Sequence, residues 1–122
     1  MEDLRVLLVD DERELVTTLV ERLGFRGIAA DFALDGYAAL EMLEKTQYSA
    51  VVLDLKLPGM EGTEVLRRIA IEYPGTPVIL ITGHGSAVDS SEPVPEGAFA
   101  TLMKPVKLEM LMQYIQQAVG QA

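Results

Sequence analysis

The chain contains no cysteine in its 122 residues, so disulfides, thiolate metal ligands and cysteine nucleophiles are excluded and the redox compartment is left open. Positive charge is also scarce. Ten lysines and arginines stand against nineteen aspartates and glutamates, a formal net charge of -9, and the basic residues are dispersed where a nucleic-acid surface needs them clustered. The acidity itself favours solubility and says little more. Long apolar runs are missing too. Met1 to Leu4 is acidic where a signal peptide is basic, and Val6 to Val9 is far too short for a secretory core or a membrane span. A soluble cytoplasmic protein with no membrane partner is expected. No repeat, low-complexity tract or linker interrupts the chain, and no output domain is visible after Val119, so residues 1–122 are read as one domain. With 49% hydrophobic and 24% charged residues it has the make-up of an ordinary globular protein.

What is present alternates in a regular way. Arg5 to Val9 is a short apolar, β-branched run that suits a strand covered on both faces. Leu15, Leu19 and Leu23 then recur at helical spacing up to Gly24. Gly27 to Phe32 is a weaker, alanine-rich strand, followed by a helix through Ala39, Leu40 and Leu43. Ser49 to Leu53 is a second buried strand, and the Leu57-Pro58-Gly59-Met60 turn precedes a helix from Gly62 to Tyr73 that Pro74 ends. Pro77 to Ile81 and Ala98 to Met103 are two more strands, and Leu108, Leu111, Met112, Ile115 and Val119 mark a last helix. Strict alternation implies an α/β fold, a doubly wound five-stranded parallel sheet with helices on both faces. Only Ser86 to Gly97 breaks the rhythm. Pro93 and Pro95 stop a helix at about Ser91, so a short or irregular fourth helix followed by an extended segment is expected there.

Four strands end, at their carboxyl edge, in residues able to handle phosphate: Asp10 and Asp11, Asp54, Thr82 and Lys104. Parallel strands present those ends to one crevice, where such folds place ligands. Taken singly, Asp10-Asp11-Glu12 reads as a helix N-cap with an acidic first turn, Asp54 reads the same way, and Thr82 carries no signal. The conjunction changes the reading. Carboxylates gathered in a partly desolvated crevice repel, and one of them takes up a proton unless a cation is bound. All-oxygen ligation favours Mg²⁺ or Mn²⁺ over zinc. A carboxylate not consumed by the metal is a nucleophile toward phosphorus, with the Lys104 ammonium and the Thr82 hydroxyl placed to stabilise charge on the phosphoryl oxygens.

Val6-Leu-Leu-Val-Asp-Asp-Glu12, Val51-Val-Leu-Asp-Leu-Lys-Leu-Pro-Gly-Met60, Leu80-Ile-Thr-Gly-His-Gly85 and Met103-Lys-Pro105 together resemble the receiver domain of two-component response regulators, over the stretch from about Leu4 to Gln117. The resemblance implies a flavodoxin-like fold with strand order 2-1-3-4-5 and Asp54 as phosphoacceptor. It implies Mg²⁺ on Asp11, Asp54 and the Lys56 backbone carbonyl, with Asp10 acting through water, and a cis Lys104-Pro105 bond. The implied donor is a phosphohistidine on a histidine kinase or a histidine phosphotransfer protein. The implied product is a phosphorylation-dependent switch that catalyses only its own phosphorylation and dephosphorylation.

Two positions depart from that family's pattern. Thr101 stands where an aromatic residue usually answers phosphorylation, and Pro93 and Pro95 fall in the surface that usually signals. His84, the lone histidine, is expected in an exposed loop beside the site, and the Lys56 side chain in solvent. A receiver-fold interaction module acting without phosphorylation is the alternative reading. An aspartyl phosphohydrolase usually carries a second acid where this chain has Lys56, and a flavin-binding loop would not tolerate Asp10-Asp11-Glu12 against a phosphate.

Overall fold

The computed structural model of the chain describes residues 4–83 and 95–120. The described residues form β1 (Arg5–Val9), α1 (Arg13–Phe25), β2 (Ala29–Ala33), α2 (Gly36–Lys45), β3 (Ala50–Asp54), α3 (Gly62–Glu72), β4 (Val78–Thr82), β5 (Ala100–Met103) and α4 (Leu108–Gly120). All strand pairs are parallel, and the sheet runs β2-β1-β3-β4-β5, the expected order.

Strand character follows position in the sheet. Every residue of β3 and β4 is buried, as are the last four of β1, whereas β2 at the edge is mostly half-exposed. The continuous apolar runs therefore mark central strands with both faces covered. Alternate residues divide the interior into two cores. Leu7, Val9, Val51, Leu53, Val78 and Leu80 pack with α2 and α3 through Leu43, Val65 and Ile69. Val6, Leu8, Val52, Ile79 and Ile81 pack with α1 and α4 through Leu19, Leu23, Leu111 and Ile115. Each fully buried side chain of this size contributes about 1.5–3 kcal/mol by burial.

Boundaries shift by one to two residues from expectation. β2 starts at Ala29 because Gly27, at φ +82°, turns the chain after α1, and Ile28 N–H still bonds back to the Leu23 carbonyl at 3.0 Å. β4 starts at Val78, since Pro77 has no N–H for the ladder, although its carbonyl accepts from Val51 N–H at 2.9 Å. Before β5, Pro95 to Ala98 is a turn closed by Ala98 N–H to the Pro95 carbonyl at 3.1 Å, with Gly97 at φ +93°. The helix expected from Ser86, along with His84 and Pro93, lies outside the described residues.

The parallel register fixes what reaches the carboxyl edge. Val9 pairs with Leu53 without stagger, so the next residues, Asp10 and Asp54, stand side by side on the face that Leu8 and Val52 share. Lys104 continues β5 on that same face, following Leu102 by two.

Candidate functional site

At this edge Asp10 and Asp54 are buried and almost identically held. One oxygen of each is tied to the backbone two residues on: Asp10 Oδ1 accepts from Glu12 N–H at 2.9 Å, and Asp54 Oδ1 accepts from Lys56 N–H at 3.0 Å. These local bonds aim each remaining oxygen inward. There the two Oδ2 atoms meet one cation, the Lys104 ammonium, which lies 2.9 Å from Asp10 Oδ2 and 3.0 Å from Asp54 Oδ2. The Asp54 contact is a hydrogen bond; the Asp10 contact is ionic and unaligned, and leaves the buried Oδ2 without a hydrogen-bond donor.

Lys104 comes from β5, two strands from β3, a gap of roughly 9–10 Å. Its four methylenes cross the end of β4, and its backbone is anchored there by Lys104 N–H to the Thr82 carbonyl at 2.8 Å. The Lys104–Pro105 peptide bond is cis, as the resemblance implied. A third acid also meets the ammonium: Lys104 Nζ hydrogen-bonds Glu12 Oε1.

Electrostatics follow from burial and contact. Burial pushes the Asp10 carboxyl above its usual range; the Glu12 N–H and Lys104 oppose the rise, and the Asp54 charge adds to it. For Lys104 burial disfavours the charge, but Glu12, Asp10 and Asp54 together outweigh it and hold the ammonium firmly protonated.

Glu12 is the residue sequence reasoning passed over. It caps α1 by position, yet its carboxylate makes no capping hydrogen bond; it turns into the site. The signal was a third acid directly after the pair. Asp11 is exposed, as is Glu12, and the acidic oxygens that converge within 4.8 Å of one another come from Asp10, Glu12 and Asp54. The Lys56 side chain is exposed, as expected, while its backbone borders the site. Thr82 is fully buried at the end of β4, and among the described residues its hydroxyl has no hydrogen-bond partner.

Glycine closes the floor. A Cβ on Gly62 would lie 2.5 Å from Leu55 Cα and 2.6 Å from the Asp54 carbonyl oxygen. Its bare backbone lets the start of α3 press on the loop after Asp54, with Gly62 N–H bonded to the Leu55 carbonyl at 3.1 Å.

An all-oxygen donor set, one buried carboxylate oxygen without a donor, and a single ammonium shared among three carboxylates suit a hard divalent cation such as Mg²⁺ or Mn²⁺. Among the described residues no helix is long and apolar enough to cross a membrane.

Known proteins agree with this architecture. The transcriptional regulatory protein TctD of Salmonella typhimurium strain LT2 is 38% identical over 108 residues, 88% of this chain and 48% of its own length. GlrR of Escherichia coli K12, also a transcriptional regulatory protein, is 35% identical over 117 residues, 96% of this chain and 26% of its own. The chain thus spans about half or less of the length of these relatives. A CheY-like response regulator receiver domain protein from Methanospirillum hungatei JF-1 superposes with a TM-score of 0.88 at 31% identity, covering 98% of this chain and 96% of that one. The receiver domain of NtrX from Brucella abortus superposes at 0.87 with 28% identity, over 96% and 99%. The family model described as the response regulator receiver domain matches residues 6–116, and with the strand order and the acidic edge described above this chain belongs to the response regulator receiver domains, the signalling modules of two-component systems.

Proposed function

We propose that the domain takes a phosphoryl group onto Asp54 from a phosphohistidine of a histidine kinase or histidine phosphotransfer protein, in a Mg²⁺-dependent reaction, and so switches its interaction with a downstream partner. The observation that carries this reading is the matched pair of carboxylates, each pinned by Oδ1 with Oδ2 turned to the Lys104 cation. Asp54, on the central strand β3, is the nucleophile: a carboxylate oxygen forms the bond to phosphorus while the phosphorus–nitrogen bond to the donor imidazole breaks, and the leaving imidazole takes up a proton. Lys104 is already bonded to Asp54 and keeps its charge throughout, so it pairs with a phosphoryl oxygen as negative charge moves onto Asp54. The Thr82 hydroxyl, without a partner among the described residues, is a donor for another such oxygen.

Asp11, Asp54 and the Lys56 carbonyl are the residues that would hold Mg²⁺ (or Mn²⁺), with Asp10 acting through water. The bound cation supplies charge neutralisation between carboxylates and phosphoryl oxygens. Water then returns the domain to its starting state, and the exposed Lys56 side chain next to Asp54 influences the lifetime. The setting is cytoplasmic, and the acidic surface takes no nucleic acid.

Incubation with acetyl phosphate and Mg²⁺, followed by intact-mass measurement, should add one phosphoryl group to the wild type and none to Asp54→Asn. A retained mass shift in the variant, or none in the wild type, overturns the assignment.

A further inference from the structure

The loop that follows Asp54 is held largely by packing. Its Lys56 N–H donates to Asp54 Oδ1 at 3.0 Å, and at its far end Gly62 N–H bonds back to the Leu55 carbonyl at 3.1 Å. Between Lys56 and Gly62, among the described residues, no backbone-to-backbone hydrogen bond ties Leu57, Pro58, Gly59 or Met60. A segment without such bonds keeps its place only through the groups packed around it. Two of those groups come from the first turn of α2. The Asp35 side chain caps this helix, accepting from Ala38 N–H at 2.8 Å. Gly36 is buried against the loop: a Cβ there would lie 3.2 Å from Met60 Cβ and 2.6 Å from Val65 Cγ2, an approach that glycine alone permits. Tyr37 comes next. It is 64% exposed, yet one edge of its ring lies over Gly59, where φ is +77° and an added Cβ would meet Tyr37 Cε2 at 3.4 Å and Cδ2 at 4.0 Å. The ring thus stands where Gly59 would carry a side chain.

We propose that Tyr37 is a positioning residue for the phosphoacceptor site: from the first turn of α2 its ring clamps Gly59 and holds the loop that presents Lys56 beside Asp54. This rests on the reading of Asp54 as phosphoacceptor and adds a residue which that reading does not use. The ring makes the contact and the hydroxyl does not, since Cε2 and Cδ2 are the atoms nearest Gly59. Freed of the ring, Gly59 regains the conformational range particular to glycine. The Lys56 amide, in the same short loop, then loses its alignment on the Asp54 carboxylate. Misplacement of this kind slows a reaction without removing any reacting group.

The test uses Tyr37→Ala, which removes the ring, and Tyr37→Phe, which keeps it. In the metal-free protein the Lys56 amide should exchange with solvent about threefold faster in Tyr37→Ala. Labelling by acetyl phosphate with Mg²⁺ should slow by about threefold in the same variant, and Tyr37→Phe should stay close to wild type in both. Urea melts supply the control for global stability. An unchanged Lys56 exchange rate or an unchanged labelling rate in Tyr37→Ala overturns the proposal. So does exchange that quickens at all core amides in step with a global loss of stability, or a Tyr37→Phe variant that behaves like Tyr37→Ala. If the wild type takes up no phosphoryl group at all, the phosphoacceptor reading falls, and Lys56 exchange in the metal-free protein still decides whether Tyr37 holds the loop.

Discussion

At the scale of single residues the site is governed by one cation shared among three carboxylates. Lys104 is mostly buried and Asp10 and Asp54 almost wholly so, so removing the ammonium leaves repelling charges with no partner. Breaking a buried pair from one side costs several kcal/mol, and the exposed Glu12 and the open rim reduce that cost here. Lys104→Met is therefore expected to lose about 2 kcal/mol of stability in EDTA, and to recover more than the wild type when Mg²⁺ is added. Urea melts with and without Mg²⁺ measure both numbers; equal Mg²⁺ responses in the two proteins would show that Lys104 and the cation do not share the carboxylates. Asp10 shows how the same residue type acquires a different role by placement. Its neighbour Asp11, one position on, is exposed, whereas Asp10 is buried with one oxygen tied to the Glu12 N–H and the other beside Lys104.

At the scale of elements, two joints hold the layers in place. The first is the contact of α3 with the loop after β3, which only glycine permits at position 62. Gly62→Ala puts a methyl against backbone, not against a side chain that can turn away, so overpacking of about 2–3 kcal/mol is expected. Because the displaced loop follows directly on Asp54 and carries Lys56, whose N–H holds the Asp54 carboxylate, the rate of acetyl-phosphate labelling should fall together with stability. Denaturant melts and labelling rates check this; a stable variant labelled at the wild-type rate would contradict it. The second joint lies at the opposite edge, where the Tyr48 hydroxyl donates to Asp31 Oδ2 at 2.7 Å and Arg5 pairs with the same carboxylate at 3.2 Å. It ties the start of β3 to β2 and β1. Burial, reinforced by the bond to Asp31, pushes the Tyr48 phenol from its usual 10.0 up to about 12. A raised folded value means that the protonated phenol stabilises the fold fully below pH 10 and that this stability is lost as pH rises toward about 12. Tyr48→Phe should cost about 1 kcal/mol at neutral pH and flatten the decline between pH 10 and 12, which melts across that range can follow.

At the scale of the whole molecule, a net charge of -9 includes three acids gathered at the carboxyl edge, Asp10, Glu12 and Asp54, a cluster that binding of a divalent cation would relieve. A ligand that binds only the folded state stabilises it by about 2.7 kcal/mol at a hundredfold excess over its dissociation constant. Melting temperature should therefore climb with Mg²⁺ concentration, and Asp11→Ala should move the rise to at least tenfold higher Mg²⁺ by removing the carboxylate proposed as a direct ligand. An Asp11→Ala curve that overlays the wild type would assign that place to Glu12, which the structure already turns toward Asp10 and Asp54.

The alternation of apolar runs and helical spacings determined, with no reference to tertiary contacts, that this chain is a doubly wound parallel sheet, because central strands must be apolar on both faces while helices need only one apolar stripe. It placed the candidate site residues together as well, since residues that end parallel strands share one edge. Other features were legible in the sequence only as a resemblance: the strand order and the cis bond before Pro105. Side-chain direction was not legible at all. That Glu12 turns back to Lys104, that Gly62 must be bare, and that Thr82 and Thr101 share a face were decided by register and by the close approach of backbone segments far apart in the chain. The reason is physical: composition and period report what a residue needs to bury, whereas the atom it meets depends on which strand lies beside it and with what stagger.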